Sequence, residues 1–152
     1  QDGRFFYVLY ELKNVIDVFS YKEGERTPIV EKIQTVSTTG GETSRMTAAC
    51  AMRFTPDEKH LFCSNAGDDT VSVYKRDEET GLLELICCLP ISGEYQKDIA
   101  IFPDDQHIAS LNHETGSITF FHIDYEKGLL VGSANPVRVD EPNCCAIVKV
   151  RG

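Results

Sequence analysis

Two asparagines recur at the same distance from an aspartate in this 152-residue chain. Asn65 lies eight residues after Asp57, and Asn112 lies eight residues after Asp104. Such an amide can contact a ligand or cap a loop through local hydrogen bonds, and the sequence leaves both uses open. His113 could act as an acid or base near neutral pH, although a single histidine in a polar loop is more typical of a surface residue.

The cysteines form no CxxC pair, and His113 and His122 are not spaced with them as zinc ligands would be. Adjacent residues of a strand point to opposite faces, so the two neighbouring pairs are poorly placed to form disulfides. We expect reduced core or near-core thiols in a cytoplasmic protein, with no metal and no cofactor. The six are Cys50, Cys63, Cys87, Cys88, Cys144 and Cys145.

Composition excludes several classes of protein. The formal net charge is −9, and no stripe of Lys and Arg with interleaved aromatic residues offsets it, so we expect no nucleic-acid partner. No apolar stretch approaches the roughly 20 residues of a membrane helix, so we expect no membrane partner either. With 26% charged and 41% hydrophobic residues, the sequence is typical of a folded globular chain.

An internal repeat positions these polar residues. Three segments, which begin at Asp2, Asp57 and Asp104, align without a gap for more than about twenty residues. The second and third segments begin 47 residues apart, because 104 − 57 = 47. Each segment has a turn at its Asp, an apolar strand, a short polar linker and a second strand with alternating apolar residues. A glycine-containing turn at Gly81 and at Gly128 leads to a third strand, and a further strand precedes each Asp.

Four short antiparallel strands repeating every 40–50 residues or so predict an all-β fold of β-propeller blades. A β-sandwich is the rival, but it does not repeat such a pattern residue for residue. We expect one partial propeller over residues 1–152, with units at about 2–47, 48–96 and 97–140 and a final strand at 145–150. Propellers close with about four to eight blades, so either further blades exist elsewhere or chains associate through their exposed blade edges.

The motif strings resemble one known family. Tyr10-Glu11-Leu12-Lys13-Asn14, Thr70-Val71-Ser72-Val73-Tyr74 and Pro142-Asn143-Cys144-Cys145 are similar to the C-terminal part of the 6-phosphogluconolactonase family of seven-bladed propellers. The resemblance implies hydrolysis of a phosphorylated, anionic sugar lactone in the pentose phosphate pathway, without a required metal. It also extends to fungal enzymes that cyclise carboxymuconate, and the fold does not choose between the two chemistries.

The resemblance also suggests roles at one mouth of the propeller channel. Opening a lactone requires a base that activates water and cations or donors that stabilise the oxyanion and the phosphate. In a four-stranded meander the start of the first strand and the end of the second lie on the same face, so the candidate residues gather there. We expect Glu11 and His113 to be catalytic, and Lys97, Asp98, Asn65 and Asn112 to bind substrate.

Four positions depart from the resemblance. Tyr10 stands where the family usually carries Asn, Ala51 where it carries an acid, and Ala66 and Lys97 where it carries Arg. Lysine offers a point charge and alanine offers none, so bidentate contacts to an anion are weakened. A catalytically inert propeller that binds a ligand or a protein is therefore a second hypothesis, and a carboxymuconate-cyclase-like enzyme is a third.

Overall fold

A computed structural model of the chain describes residues 3–41 and 46–148. These residues form three antiparallel sheets in which each strand pairs with its neighbours along the chain. The strands are β1 (Phe5–Tyr10), β2 (Val15–Lys22) and β3 (Ile29–Ser37) in the first sheet, β4 (Ala48–Phe54), β5 (His60–Ala66), β6 (Thr70–Arg76) and β7 (Leu83–Pro90) in the second, and β8 (Gln96–Ile101), β9 (His107–Asn112), β10 (Ser117–Asp124) and β11 (Leu129–Arg138) in the third. The predicted all-β class and the four-stranded meanders are confirmed.

The structure corrects part of the prediction of a final strand at 145–150. Residues 145–148 are not in a strand, whereas 149 and 150 lie outside the described residues, as does Asp2 of the first repeat. A strand needs a neighbouring edge with free backbone groups, and no edge among the described strands pairs with this segment. Within the same described ranges, no helix is long and apolar enough to cross a membrane.

The strand pattern places one apolar core on each side of the second sheet. Side chains of a strand alternate between faces, so Leu61 and Cys63 of β5 pack toward the first sheet, with Ile16 and Val18. Phe62 lies between them in sequence and packs toward the third sheet, with Ile108 and its neighbours. The second sheet is thus buried on both faces, as a blade between two other blades should be.

The Pro-Asp turns lie at the opposite end of the sheets from the candidate site. In one of them Asp104 accepts hydrogen bonds from the backbone amides of Gln106 and His107 and contacts His107 Nδ1 at 2.6 Å. The Gln106 amide, followed by the His107 side chain and amide, lowers the pKa of Asp104 to about 2. These repeated Asp residues therefore stabilise turns, which explains their recurrence in the sequence.

Candidate functional site

Strand register brings the predicted site residues to one end of the three sheets. Tyr10 pairs with Val15 at the last step of the β1–β2 hairpin, so Glu11 begins the loop at that end. Asn65 and Asn112 occupy the corresponding last steps of β5 and β9. The Ala49 amide donates a hydrogen bond to the Glu11 carbonyl at 3.1 Å and ties the first two sheets together there. We call this end the mouth, defined by Glu11, Cys50, Lys97 and the loops that follow Asn65 and Asn112.

Glu11 and Lys97 share the mouth with a half-buried thiol, Cys50. Cys50 lies at a register shift near the start of β4, and Lys97 lies at one near the start of β8. A bulge of this kind changes the direction in which the side chain of the extra residue points. Burial raises the pKa of Cys50, a hydrogen bond with the backbone of Ala66 and the charge of Lys97 lower it, and the charge of Glu11 raises it again. Both charged groups are therefore close enough to Cys50 to act on it electrostatically.

The two charged groups differ in how firmly they are held. Glu11 is exposed, in a turn that ends at Asn14, whose φ is +54° and whose side-chain amide donates to Thr47 O at 3.2 Å. Lys97 is half-buried, with its ammonium 4.7 Å from the centroid of the Tyr95 ring, an attractive cation–π arrangement. An anion at the mouth would meet an ordered lysine and a carboxylate that can still reorient.

The side chain of Asp98 is held by contacts within the protein. Its side chain is 3% exposed and forms an ion pair with Arg53 at 2.8 Å. Its oxygens also accept hydrogen bonds from the backbone amides of Ile99 at 2.9 Å and Cys145 at 3.1 Å. The contacts join β4, β8 and the segment after β11, so Asp98 positions backbone, whereas we expected it to bind substrate. Sequence reasoning assigned no role to Arg53, since nothing in the repeat marks its partner.

The two repeated asparagines are buried caps. Asn65 donates from Nδ2 to Thr38 O at 2.7 Å and to Thr70 Oγ1 at 3.1 Å. Asn112 donates to Ser117 and Thr119 and accepts from Ser110. Both are 0% exposed, so neither presents an atom to a ligand at the mouth. The loop-capping alternative accounts for their recurrence, and the expected substrate contact stays a prediction.

His113 faces different surroundings from Glu11. It is half-buried, its backbone amide donates to Tyr95 O at 3.1 Å, and among the described residues no partner is found for its buried Nδ1. It lines a cavity of about 260 Å³ together with Glu114, Arg138 and Glu141, at the end of the outer strand β11. The structure therefore places His113 in a cavity beside the end of β11, with its backbone bonded to Tyr95, the residue whose ring contacts Lys97.

The remaining thiols show no metal-binding arrangement. All six cysteines are unpaired, and no group of three or more His, Cys, Asp or Glu within residues 3–41 and 46–148 could hold a metal ion. Burial raises the pKa of Cys63 and of Cys87, the latter to about 11. Such thiols are poor nucleophiles.

Comparison with known proteins identifies relatives along nearly the whole chain. The profile of a family described as "Lactonase, 7-bladed beta-propeller" matches residues 1–147. An uncharacterised Staphylococcus aureus protein is 27% identical over 148 residues, which cover 96% of this chain and 42% of that protein.

Two solved structures share the fold. A Bacteroides fragilis protein provisionally named 6-phosphogluconolactonase superposes with a TM-score of 0.81 at 28% identity, over 95% of this chain and 38% of its own. The periplasmic gluconolactonase of Pseudomonas aeruginosa gives 0.86 at 23% identity, over 99% and 41%, and this likeness concerns the fold alone. The chain thus spans about two fifths of the length of the relatives it matches.

Proposed function

Because the chain belongs to the family of seven-bladed lactonase propellers, we propose that it forms part of a hydrolase that opens a sugar lactone, with 6-phosphogluconolactone as the first candidate substrate. One observation carries this proposal: a carboxylate, Glu11, which follows the last pair of the β1–β2 hairpin, and an ammonium, Lys97, at the bulge that begins β8, lie at the same mouth of the propeller. A base and a cation at one site are the groups that hydrolysis of an anionic ester requires.

In the proposed reaction Glu11 acts first as a base and then as an acid, while Lys97 stabilises negative charge. The Glu11 carboxylate accepts a proton from water as the water oxygen bonds to the lactone carbonyl carbon. The carbonyl oxygen then carries a negative charge, which Lys97 stabilises, or Lys97 instead holds the phosphate. The bond from the carbonyl carbon to the ring oxygen breaks, and Glu11 returns its proton to the leaving alkoxide, so that an open-chain acid forms.

A second candidate is a propeller that binds a ligand without turning it over. It is favoured by the ion pair of Asp98 and the hydrogen bonds of Asn65 and Asn112, which tie these side chains to the protein itself. Ala66 adds to this, because it is 0% exposed and its carbonyl accepts a hydrogen bond from Thr47 Oγ1 at 3.0 Å. No cation can be presented from that position.

Together with lactone hydrolysis, we propose a cytoplasmic location and a role in the pentose phosphate pathway. The unpaired state of all six thiols supports a reducing compartment. Cell fractionation with an antibody to the protein tests the location: recovery with cytosolic markers would support it, and recovery with the periplasm or the medium would contradict it.

Hydrolysis of 6-phosphogluconolactone, measured beside gluconolactone and a blank for spontaneous opening, separates the candidates. With the protein in its longest natural form, Glu11→Gln should lower kcat by about 10²–10⁴-fold, and Lys97→Met should raise KM for the phosphorylated lactone more than for gluconolactone. Glu25→Gln is the matched control, because Glu25 is exposed in the loop between β2 and β3. Rates equal to the blank, with measurable lactone binding, would favour the non-catalytic propeller.

A further inference from the structure

The residue just before β8 has a backbone conformation that is unusual for its type. Tyr95 has a φ of +60°, in the left-handed region that glycine, asparagine and aspartate adopt far more readily than a bulky residue. Such a conformation persists only where the surrounding structure enforces it, and it is often found at functional sites. Tyr95 lies two residues before Lys97, at the mouth.

An aspartate of the second sheet holds both ends of the loop formed by residues 91–95. Asp69, between β5 and β6, accepts a hydrogen bond from the Ile91 amide through its backbone carbonyl at 3.0 Å. Its carboxylate accepts a second one from the Tyr95 amide at 2.8 Å. Ile91 is buried in the core shared by the second and third sheets. One residue therefore fixes where the loop begins and where it ends.

The third sheet holds the remainder of the loop. Thr119 Oγ1 on β10 donates a hydrogen bond to the Ser92 carbonyl at 3.1 Å. The His113 amide, directly after β9, donates one to the Tyr95 carbonyl at 3.1 Å. Both backbone groups of Tyr95 are thus bonded, its amide to the second sheet and its carbonyl to the third. These contacts lie between two four-stranded sheets.

The ring that this loop presents lies against the ammonium of Lys97. Lys97 is the extra residue at the register shift between Gln96 and Asp98, so the strand pattern alone does not fix its side chain. Its ammonium is 4.7 Å from the centroid of the Tyr95 ring, within the range of a cation–π contact. None of the ion pairs found within residues 3–41 and 46–148 involves Lys97.

We infer that Tyr95 is a positioning residue, held by Asp69, whose ring keeps the Lys97 ammonium in place at the mouth to receive a phosphate group. An ammonium carries three donors, so the ring can hold one side of it while phosphate oxygens bind the other. An ammonium that is already in place loses less conformational freedom when the anion binds. Loss of the ring should therefore weaken phosphate binding, by about two- to fivefold for a contact of this kind.

The inference makes Tyr95 a determinant of specificity for phosphorylated over neutral lactones. In this respect it rests on the proposed hydrolysis, whereas the order of Lys97 and its affinity for inorganic phosphate can be measured without turnover. The experiments below use the protein in its longest natural form, so that failure of one proposal can be distinguished from failure of the other.

NMR of ¹³C-labelled lysine side chains tests the positioning directly. The Lys97 ε-methylene signal, identified by its absence in Lys97→Arg, should be shifted upfield by the Tyr95 ring. Tyr95→Asn, which tolerates the left-handed backbone but removes the ring, should abolish this shift, and Tyr95→Phe should restore it. Lys13 is an internal control, because its ammonium lies 5.1 Å from a different ring, that of Tyr10. An unchanged Lys97 signal in Tyr95→Asn would overturn the inference.

Titration with inorganic phosphate then tests the consequence for binding. Tyr95→Asn should bind phosphate about two- to fivefold more weakly than the unaltered protein, and Tyr95→Phe should recover the affinity. Asp69→Gly keeps the backbone conformation, φ +52°, but loses the acceptor, so it should resemble Tyr95→Asn. Asp69→Asn retains Oδ1 and should not. Equal affinities in all variants, or no phosphate binding by the unaltered protein, would contradict the inference.

Kinetics distinguish a positioning role from a merely structural one. Tyr95→Asn should raise KM for 6-phosphogluconolactone by the same factor while kcat for both lactones and KM for gluconolactone stay within about twofold. An equal fall of kcat/KM for both lactones would show that the ring supports the fold in general and would overturn the inference. If the unaltered protein hydrolyses neither lactone, the proposed hydrolysis fails, and the NMR and phosphate results still decide the role of Tyr95.

Discussion

The ion pair between Arg53 and Asp98 should respond unequally to loss of its two members. Arg53→Gln leaves the Asp98 carboxylate, 3% exposed, with two backbone amide donors and no counter-charge. Removing one partner of a buried pair costs about 3–5 kcal/mol; the remaining amides argue for the lower end, about 3 kcal/mol. Asp98→Asn leaves Arg53, whose side chain is 44% exposed, able to bind water, so the expected cost is about 1–2 kcal/mol.

Urea unfolding with a constant m-value measures these costs. The double variant Arg53→Gln with Asp98→Asn should be more stable than Arg53→Gln alone, because it no longer buries an unpaired charge. Arg26→Gln serves as the control, since Arg26 is exposed and a surface change of this kind should stay within about 0.5 kcal/mol. Equal losses for the two single variants, or a double variant less stable than Arg53→Gln, would refute the reasoning.

Three further predictions follow from burial and close contact. Burial lowers the pKa of His60, so the unfolded chain binds more protons and the free energy of unfolding should fall as pH drops through about 6.5. His60→Phe, which can retain the stacking on Tyr125 at 3.8 Å between ring centroids, should flatten this fall when stability is measured across a pH series. An unchanged slope would contradict the assignment to His60. Gly93→Ala should cost about 2–4 kcal/mol in urea unfolding, because φ is +108° and the new Cβ would lie 2.1 Å from Asn112 Cγ; a neutral effect would show that the Asn112 cap can shift. Exposed Cys144 should react with a thiol reagent in native buffer while buried Cys63 reacts only on unfolding, and peptide mapping of early labelling at Cys63 would disprove its burial.

The repeat explains why the fold could be predicted from the sequence. Spacing of 47 residues between Asp57 and Asp104 and the period-two pattern of each strand are local properties. They determine which segments form strands and that consecutive strands pair, and the sheets follow that order. The strand at 145–150 was predicted by the same pattern, but a strand also requires a neighbouring edge, which a local pattern does not supply.

The candidate site was only partly predictable. The meander topology correctly placed Glu11, Lys97, Asn65 and Asn112 at one end of the sheets. It could not say which side chains remain available there, since that depends on contacts between blades. Asn65 reaches Thr38, just after β3 of the preceding sheet, a partner 27 residues away that no repeat indicates.

The sequence by itself determined the strands, their order, the family resemblance and the common end at which the polar residues gather, because all of these follow from periodicity and repeat spacing. The tertiary structure decided that Asp98 bonds to Arg53, that both asparagines are buried and that His113 lines an outer cavity. These features arise where separate blades meet, and packing between distant segments is set by the whole fold rather than by any local pattern.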